Sequence, residues 1–268
     1  MKLLISALKH AGIVFLFFIL SAIYFYPTFQ GYELNQGDIN HFKGMSKELR
    51  DYRLANDDQA LWTNSMFGGM PAYQISMKPT NNLAANIISG VRAALPGPVG
   101  IMWLAMTCFY ILCCCLKLDI LIGMMASIAY GFASFNVLYL GAGHASKIVT
   151  VALMPGLVGG VLLCFRGKLL YGLAISVLFG ALQLAANHPQ MTYYLLILLG
   201  LIVIEEIIRL SLKKEGKKAG LAVATLAVAG ILSFLPNSVG LLTTYEYSKH
   251  TTRGESELTT LIDQGATQ

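Results

Sequence analysis

Asp38, His144, Lys147, Asn187, His188, Gln190, Glu246 and Arg253 are the side chains whose types and placement could do chemistry. A carboxylate can take the proton of an attacking hydroxyl, imidazole and amide groups can position a polar substrate, and cations can offset charge on a departing phosphate. Asp38 lies in Gly37-Asp38-Ile39-Asn40-His41-Phe42, which opens the longest polar segment of the chain. Taken alone it is an ordinary turn aspartate. A carboxylate among histidines could also hold a divalent metal, but no two histidines have the i,i+4 spacing of a helical zinc motif, so no cofactor is assigned.

These residues need elements to carry them, and the composition dictates which. Of 268 residues, 56% are hydrophobic and only 12% charged, about half the charge of an ordinary soluble domain. The apolar residues come in long blocks, each sufficient to cross a hydrocarbon core of about 30 Å. The expected fold is all-α, a polytopic transmembrane helix bundle of about seven spans. These are Ala11 to Phe29, Val99 to Leu116, Ile120 to Leu140, Ile148 to Phe165, Leu169 to Ala186, Met191 to Ile208, and Leu221 to Leu235, with Pro236 ending or kinking the last. Residues 1–268 are read as a single integral-membrane domain, with a retained signal anchor at the start and a tail, 241–268, that is expected to be truncated.

Alternate loops carry the basic residues: Lys2 and Lys9, then Lys117, then Arg166 and Lys168, then Arg209 to Lys218. The positive-inside rule puts those loops and the N-terminus in the cytoplasm, and makes the loop 30–98 extracytoplasmic. The net charge of +5 is thereby explained by orientation and by anionic lipid heads. The partner implied is a lipid bilayer rather than nucleic acid.

With that topology the eight residues gather on the external side. His144 and Lys147 sit in Gly143-His144-Ala145-Ser146-Lys147, Asn187, His188 and Gln190 in the turn Asn187-His188-Pro189-Gln190, and Glu246 and Arg253 after the last span. Polar groups near the hydrocarbon boundary are costly unless they pair or line a cavity. Within the long loop, Met45 to Gln59 has charges at i,i+3 and i,i+4, read as the solvated face of a short helix. Trp62 to Tyr73 mixes aromatics, Gly-Gly and Pro and suits an interfacial or re-entrant turn. The five cysteines all lie in apolar blocks and are read as small hydrophobes rather than ligands or disulfides.

Gly37-Asp38, Trp62 through Phe67-Gly68-Gly69-Met70-Pro71-Ala72-Tyr73, Gly143-His144-Ala145-Ser146-Lys147, Asn187-His188-Pro189-Gln190-Met191-Thr192-Tyr193-Tyr194 and Tyr245-Glu246-Tyr247-Ser248 together resemble the bacterial YfhO-like membrane proteins. That group is similar to the GT-C class of glycosyltransferases. The resemblance implies a glycosyltransferase of the bacterial cytoplasmic membrane, using a polyprenyl-phosphate-linked sugar outside the cytoplasm on an envelope or protein acceptor. It implies that Asp38, matching the acidic residue of the first external loop, is the catalytic base. His144, Lys147, Asn187, His188, Gln190, Glu246 and Arg253 would then bind substrate. Members of the group continue with further spans, so this chain corresponds to an N-terminal part. The alternatives are a transporter or lipid flippase, whose polar groups would lie at mid-membrane depth, and an inactive structural membrane fragment.

Overall fold

The apolar blocks fold as helices because each backbone amide in a hydrocarbon setting must be satisfied within its own segment. A computed structural model describes residues 2–77, 81–95 and 97–251, and side chains from residue 5 onward. The helices are α1 (Lys2–Tyr24), α2 (Gly37–Met45), α3 (Lys47–Asn56), α4 (Leu83–Ala94), α5 (Gly97–Leu116), α6 (Ile120–Gly131), α7 (Ser134–Ala142), α8 (Ala145–Phe165), α9 (Leu169–Ala185), α10 (Pro189–Leu212), α11 (Gly216–Phe234) and α12 (Ser238–Ser248). The strands β1 (Trp62–Thr63) and β2 (Met70–Pro71) form one short antiparallel ladder. Apart from this ladder, the described regular structure is helical.

Against the seven spans expected, five stretches among the described residues are long and apolar enough to cross a membrane: Ile5–Tyr24, Gly97–Leu116, Ile120–Ala142, Ala145–Phe165 and Gly216–Ser248. Helix α9, at 17 residues, is shorter than these. Helix α10 is 24 residues long but carries Glu205, Glu206 and Arg209 near its end, and it leaves Leu196, Ile197, Leu201 and Ile204 exposed. An apolar face of that kind is accounted for by lipid rather than water.

The chain forms two units, one of Met1–Gly44 with Pro79–Pro236 and one of Met45–Lys78 with Asn237–Gln268. At the centre of the first is α8, packed on α5 and α9. In α8, 72% of the apolar window is buried, against 17% in α1, so α8 is the axis and α1 a peripheral helix. The α8/α9 seam is built on small residues. A Cβ on Gly172 would stand 2.7 Å from the Cys164 amide nitrogen, and one on Gly160 would stand 2.8 Å from that of Ser176. This backbone-to-backbone approach is how membrane helices gain packing where no hydrophobic force separates protein from lipid.

Pro155 interrupts α8 and removes the amide that would bond to the Val151 carbonyl. The hydroxyl of Tyr130, from α6, donates to that oxygen at 2.8 Å. The third expected span is not one helix. It breaks at Phe132 and Ala133 into α6 and α7, and the Asn136 amide donates to the Tyr130 carbonyl at 2.7 Å. A side-chain amide that satisfies the freed carbonyl lets the break persist in an apolar setting. Pro236 ends α11 in a tight turn, Leu235–Asn237, as its sequence implies.

In the second unit, Lys47 and Asp51 of α3 form an i,i+4 ion pair on an exposed face, as expected. Glu48 and Arg53 do not. Glu48 accepts from the Thr63 hydroxyl and from the backbone amides of Asn64 and Ser65, both at 3.1 Å. These bonds, that of Thr63 first, hold its carboxyl below the ordinary range. Arg53 donates to the Ser76 carbonyl at 2.7 Å. The segment from Trp62 to Tyr73 is thus a hairpin fastened to α3. Gly69, at φ +124°, lies under the Trp62 indole, where a Cβ would meet Nε1 at 2.8 Å. Tyr73 donates to the Thr243 carbonyl of α12 at 3.3 Å.

Candidate functional site

The first unit brings Asp38 and His144 together. Helix α7 ends in Gly143 at φ +93°, with the His144 amide bonding back to the Tyr139 carbonyl at 3.1 Å and the Gly143 amide to that of Leu140 at 3.2 Å. This paired closure requires a left-handed residue, which glycine supplies without a Cβ penalty. The chain then starts α8 at once, with His144 as its N-cap residue.

Helix α2 is set down on this turn. The Gln36 amide donates to the Leu140 carbonyl at 2.5 Å, and Gly143 lies so near that a Cβ there would stand 2.9 Å from Gln36 Cβ and 3.3 Å from the Ile39 nitrogen. Asp38, in the first turn of α2, thereby reaches His144, whose Nδ1 lies 2.8 Å from Oδ2. The carboxylate also faces the positive end of α2 and stands beside that of α8. Both side chains are half-exposed, at 52% for Asp38 and 43% for His144. A pair that exposed adds only about 0–1 kcal/mol of stability. Its chemical effect is larger: with Nδ1–H donating to Asp38, Nε2 of a neutral His144 is left as a lone-pair base whose orientation is fixed.

Lys147 lies in the first turn of α8, where a cation opposes the helix dipole. Its Nζ stands 3.6 Å from the centre of the Tyr139 ring and 5.7 Å from that of Phe135. These aromatic faces hold the ammonium, and it makes no ion pair among the described residues. The Tyr139 ring also packs on that of His144, with centroids 5.3 Å apart.

His188 caps α10, its Nδ1 accepting from the Met191 amide at 3.3 Å. Burial, and after it the charges of Lys147 and His144, hold its imidazole below the ordinary range. It is therefore neutral near pH 7, with Nε2–H available as a donor.

The other candidates fare differently. Asn187 takes a left-handed conformation, φ +54°, and closes the end of α9, its amide bonding to the Leu184 carbonyl at 3.1 Å; the turn explains it. Gln190 donates to the Tyr194 hydroxyl, one turn along α10, at 2.8 Å. Glu246 belongs to the second unit and pairs with Lys249 at 2.9 Å. Arg253 lies outside the described residues. Among the described residues no three His, Cys, Asp or Glu side chains group as metal ligands. All five cysteines are free, and all but Cys114 are buried.

Two contributors, Tyr139 and Gln36, lie outside the residues that the sequence singles out. Tyr139 is four residues after Phe135, and an i,i+4 aromatic pair just before a glycine stop marks a helix end that can receive a cation. Gln36 carries no such signal. No protein-family model, curated protein or solved structure matches the chain, and the described residues form a multi-helix, membrane-like protein with five long apolar stretches.

Proposed function

We propose that this chain is a glycosyl-transferring protein of the bacterial cytoplasmic membrane, crossing it seven times with its N-terminus inside. It moves a sugar from a polyprenyl-phosphate donor to a hydroxyl acceptor on the outer face. The observation that carries the reading is the 2.8 Å contact between Asp38 and His144 at the start of α8. An exposed pair of this kind adds little to stability but leaves one imidazole nitrogen oriented and basic.

In this site Asp38 is the partner of the base and His144 the base itself. The carboxylate engages Nδ1 of His144, so His144 Nε2 takes the proton, and Asp38 orients the imidazole and stabilises the imidazolium that forms as it does so. As the acceptor oxygen bonds to the anomeric carbon, the bond from that carbon to the phosphate oxygen breaks. The acceptor proton passes to His144 Nε2 and polyprenyl phosphate departs. Lys147, unpaired beside Tyr139, offsets the phosphate charge. His188 donates from Nε2–H to a sugar hydroxyl or phosphate oxygen. The resemblance of the loop motifs to YfhO-like proteins supports the choice of donor.

The test is transfer from a labelled polyprenyl-phosphate sugar in proteoliposomes. Asp38→Asn and His144→Gln should each lower the rate by about 100-fold or more, the usual worth of general acid–base catalysis. Wild-type rates in both variants, with expression intact, would overturn the reading. Counterflow of a lipid-linked solute with no donor consumed would favour a flippase instead.

A further inference from the structure

A groove of about 1160 Å³ runs between α1, α5 and α9, at or above the upper size of ordinary small-molecule sites, roughly 300–1,000 Å³. We propose that it holds one anionic glycerophospholipid, with acyl chains lying along α5 and the phosphate at Lys168. The inference rests on the membrane reading of the helices and not on the transferase reading.

The floor of the groove is one face of α5: Trp103, Tyr110, Ile111 and Cys114, spaced at seven, eight and eleven residues and so aligned along the axis. From Trp103 to Cys114 this floor is about 17 Å long at 1.5 Å per residue. That is little more than half of a hydrocarbon core of about 30 Å. A transmembrane helix seated there would need a track of twice that length. Val14 and Phe18 of α1 form a wall, and Leu95, following α4, closes the far end, where it lies 3.2 Å from the Cβ position of Gly100. The groove is therefore apolar and stopped at the end away from Lys168.

Its other end is polar and basic. Lys168 begins α9, is exposed and makes no ion pair among the described residues. Arg166 stands two residues before it, and among the described residues no acidic side chain lines the groove. His10, bonded through Nδ1 to the Tyr110 hydroxyl at 2.9 Å, is a further polar group at this end. A free ammonium at the mouth of an acyl-sized channel complements a phosphodiester, with basic residues near the lipid surface attracting anionic heads. Lys168 and the Asp38–His144 pair stand at opposite ends of the 21-residue α8, about 30 Å apart along its axis. Occupancy of the groove is thus separable from events at the pair.

The probes are palmitoyl-oleoyl phosphatidylglycerol, its phosphatidylethanolamine counterpart and undecaprenyl phosphate, added to the delipidated full chain in detergent and read by native mass spectrometry. One phosphatidylglycerol should be retained, in preference to phosphatidylethanolamine by about fivefold. Lys168→Glu, at an exposed position, should erase that preference, and Ala94→Trp should expel both lipids by filling the groove. Labelling of Cys114 by N-ethylmaleimide gives a second reading, since the other four thiols are buried. Phosphatidylglycerol should slow labelling in the wild type and in Asp38→Asn alike. The proposal is overturned by absence of a retained phospholipid, by equal retention of the two phospholipids with no response to Lys168→Glu, or by displacement of phosphatidylglycerol by undecaprenyl phosphate. A dimer that shields Cys114 without lipid would also overturn it, by making the groove a protein interface.

Discussion

The Tyr130 hydroxyl donates to the Val151 carbonyl at 2.8 Å, the oxygen that Pro155 leaves without its helical donor. One side chain of α6 thus repairs a defect in α8, the helix on which the candidate site and the core both depend. Tyr130→Phe should lower stability in detergent by about 1 kcal/mol, the scale of a buried hydrogen bond between membrane helices. In a Pro155→Ala background the residue at 155 regains its amide and serves the same oxygen. The cost of Tyr130→Phe should then shrink, and thermal unfolding of the four proteins of this cycle measures the difference. An equal cost in both backgrounds would show that the hydroxyl matters for another reason.

The α8/α9 seam makes a second prediction. Gly172→Ala places a methyl 2.5 Å from Cys164 Sγ and 2.7 Å from the Cys164 nitrogen, and the helices must move apart. A loss of about 1–3 kcal/mol is expected, as for other overpacked cores. Gly200→Ala, in α10 with nothing within 4 Å of its Cβ position, should be neutral or gain up to about 1 kcal/mol of helix propensity. Denaturation midpoints of the two variants should therefore move in different directions, or one should not move at all.

His188 predicts an acid sensitivity. Its imidazole is held below the ordinary value of 6.5 in the folded chain, so between the folded and unfolded values the unfolded state binds more protons. Stability is then complete above pH 6.5 and falls as pH drops below it, until the folded imidazole is protonated as well. Lys147, and His144 when it carries a proton, disfavour the added proton. His188→Asn keeps an N-cap acceptor for the Met191 amide while removing the titration. Its melting temperature should lose the acid slope between pH 7 and 5. A slope unchanged from wild type would remove His188 from the explanation.

What the sequence reveals of this architecture follows from the range of the forces involved. The apolar blocks are local composition, so α1, α5, α8 and α11 are legible, as is the stop at Pro236. His144 and His188 are legible as helix-end residues because each stands in a polar gap before an apolar run. The break at Phe132 is not, since it depends on Asn136 reaching back to the Tyr130 carbonyl within a stretch that remains apolar throughout. Glu48 looks like one more charge on a helix face, because its partners, Thr63 to Ser65, belong to a hairpin that leaves no periodic trace. Asp38 and His144 could be assigned to one side of a membrane but not to one hydrogen bond, which depends on how α2 lands on the α7/α8 turn.

That landing is set by Gly143, and it permits a test of geometry apart from chemistry. Gly143→Ala puts a methyl where Gln36 Cβ and the Ile39 nitrogen already stand, at 2.9 and 3.3 Å, and in a conformation of φ +93°. The left-handed backbone costs a non-glycine residue about 1–2 kcal/mol, and α2 must lift off the turn to relieve the contact. The variant retains Asp38, His144 and Lys147, yet the distance from the carboxylate to Nδ1 should grow beyond hydrogen-bond reach. Transfer should fall by at least about tenfold, since small misplacements of catalytic groups carry large penalties. Gly141→Ala, two residues earlier with nothing within 4 Å of its Cβ position, should leave the rate intact. Nitrogen chemical shifts of His144 provide the structural reading, with loss of the Nδ1 hydrogen bond in Gly143→Ala and retention in Gly141→Ala. If Gly143→Ala preserved that bond and the rate together, α2 would not depend on this glycine for its position. If it broke the bond and kept the rate, Asp38 would be a fastening for α2 and not the partner of a base.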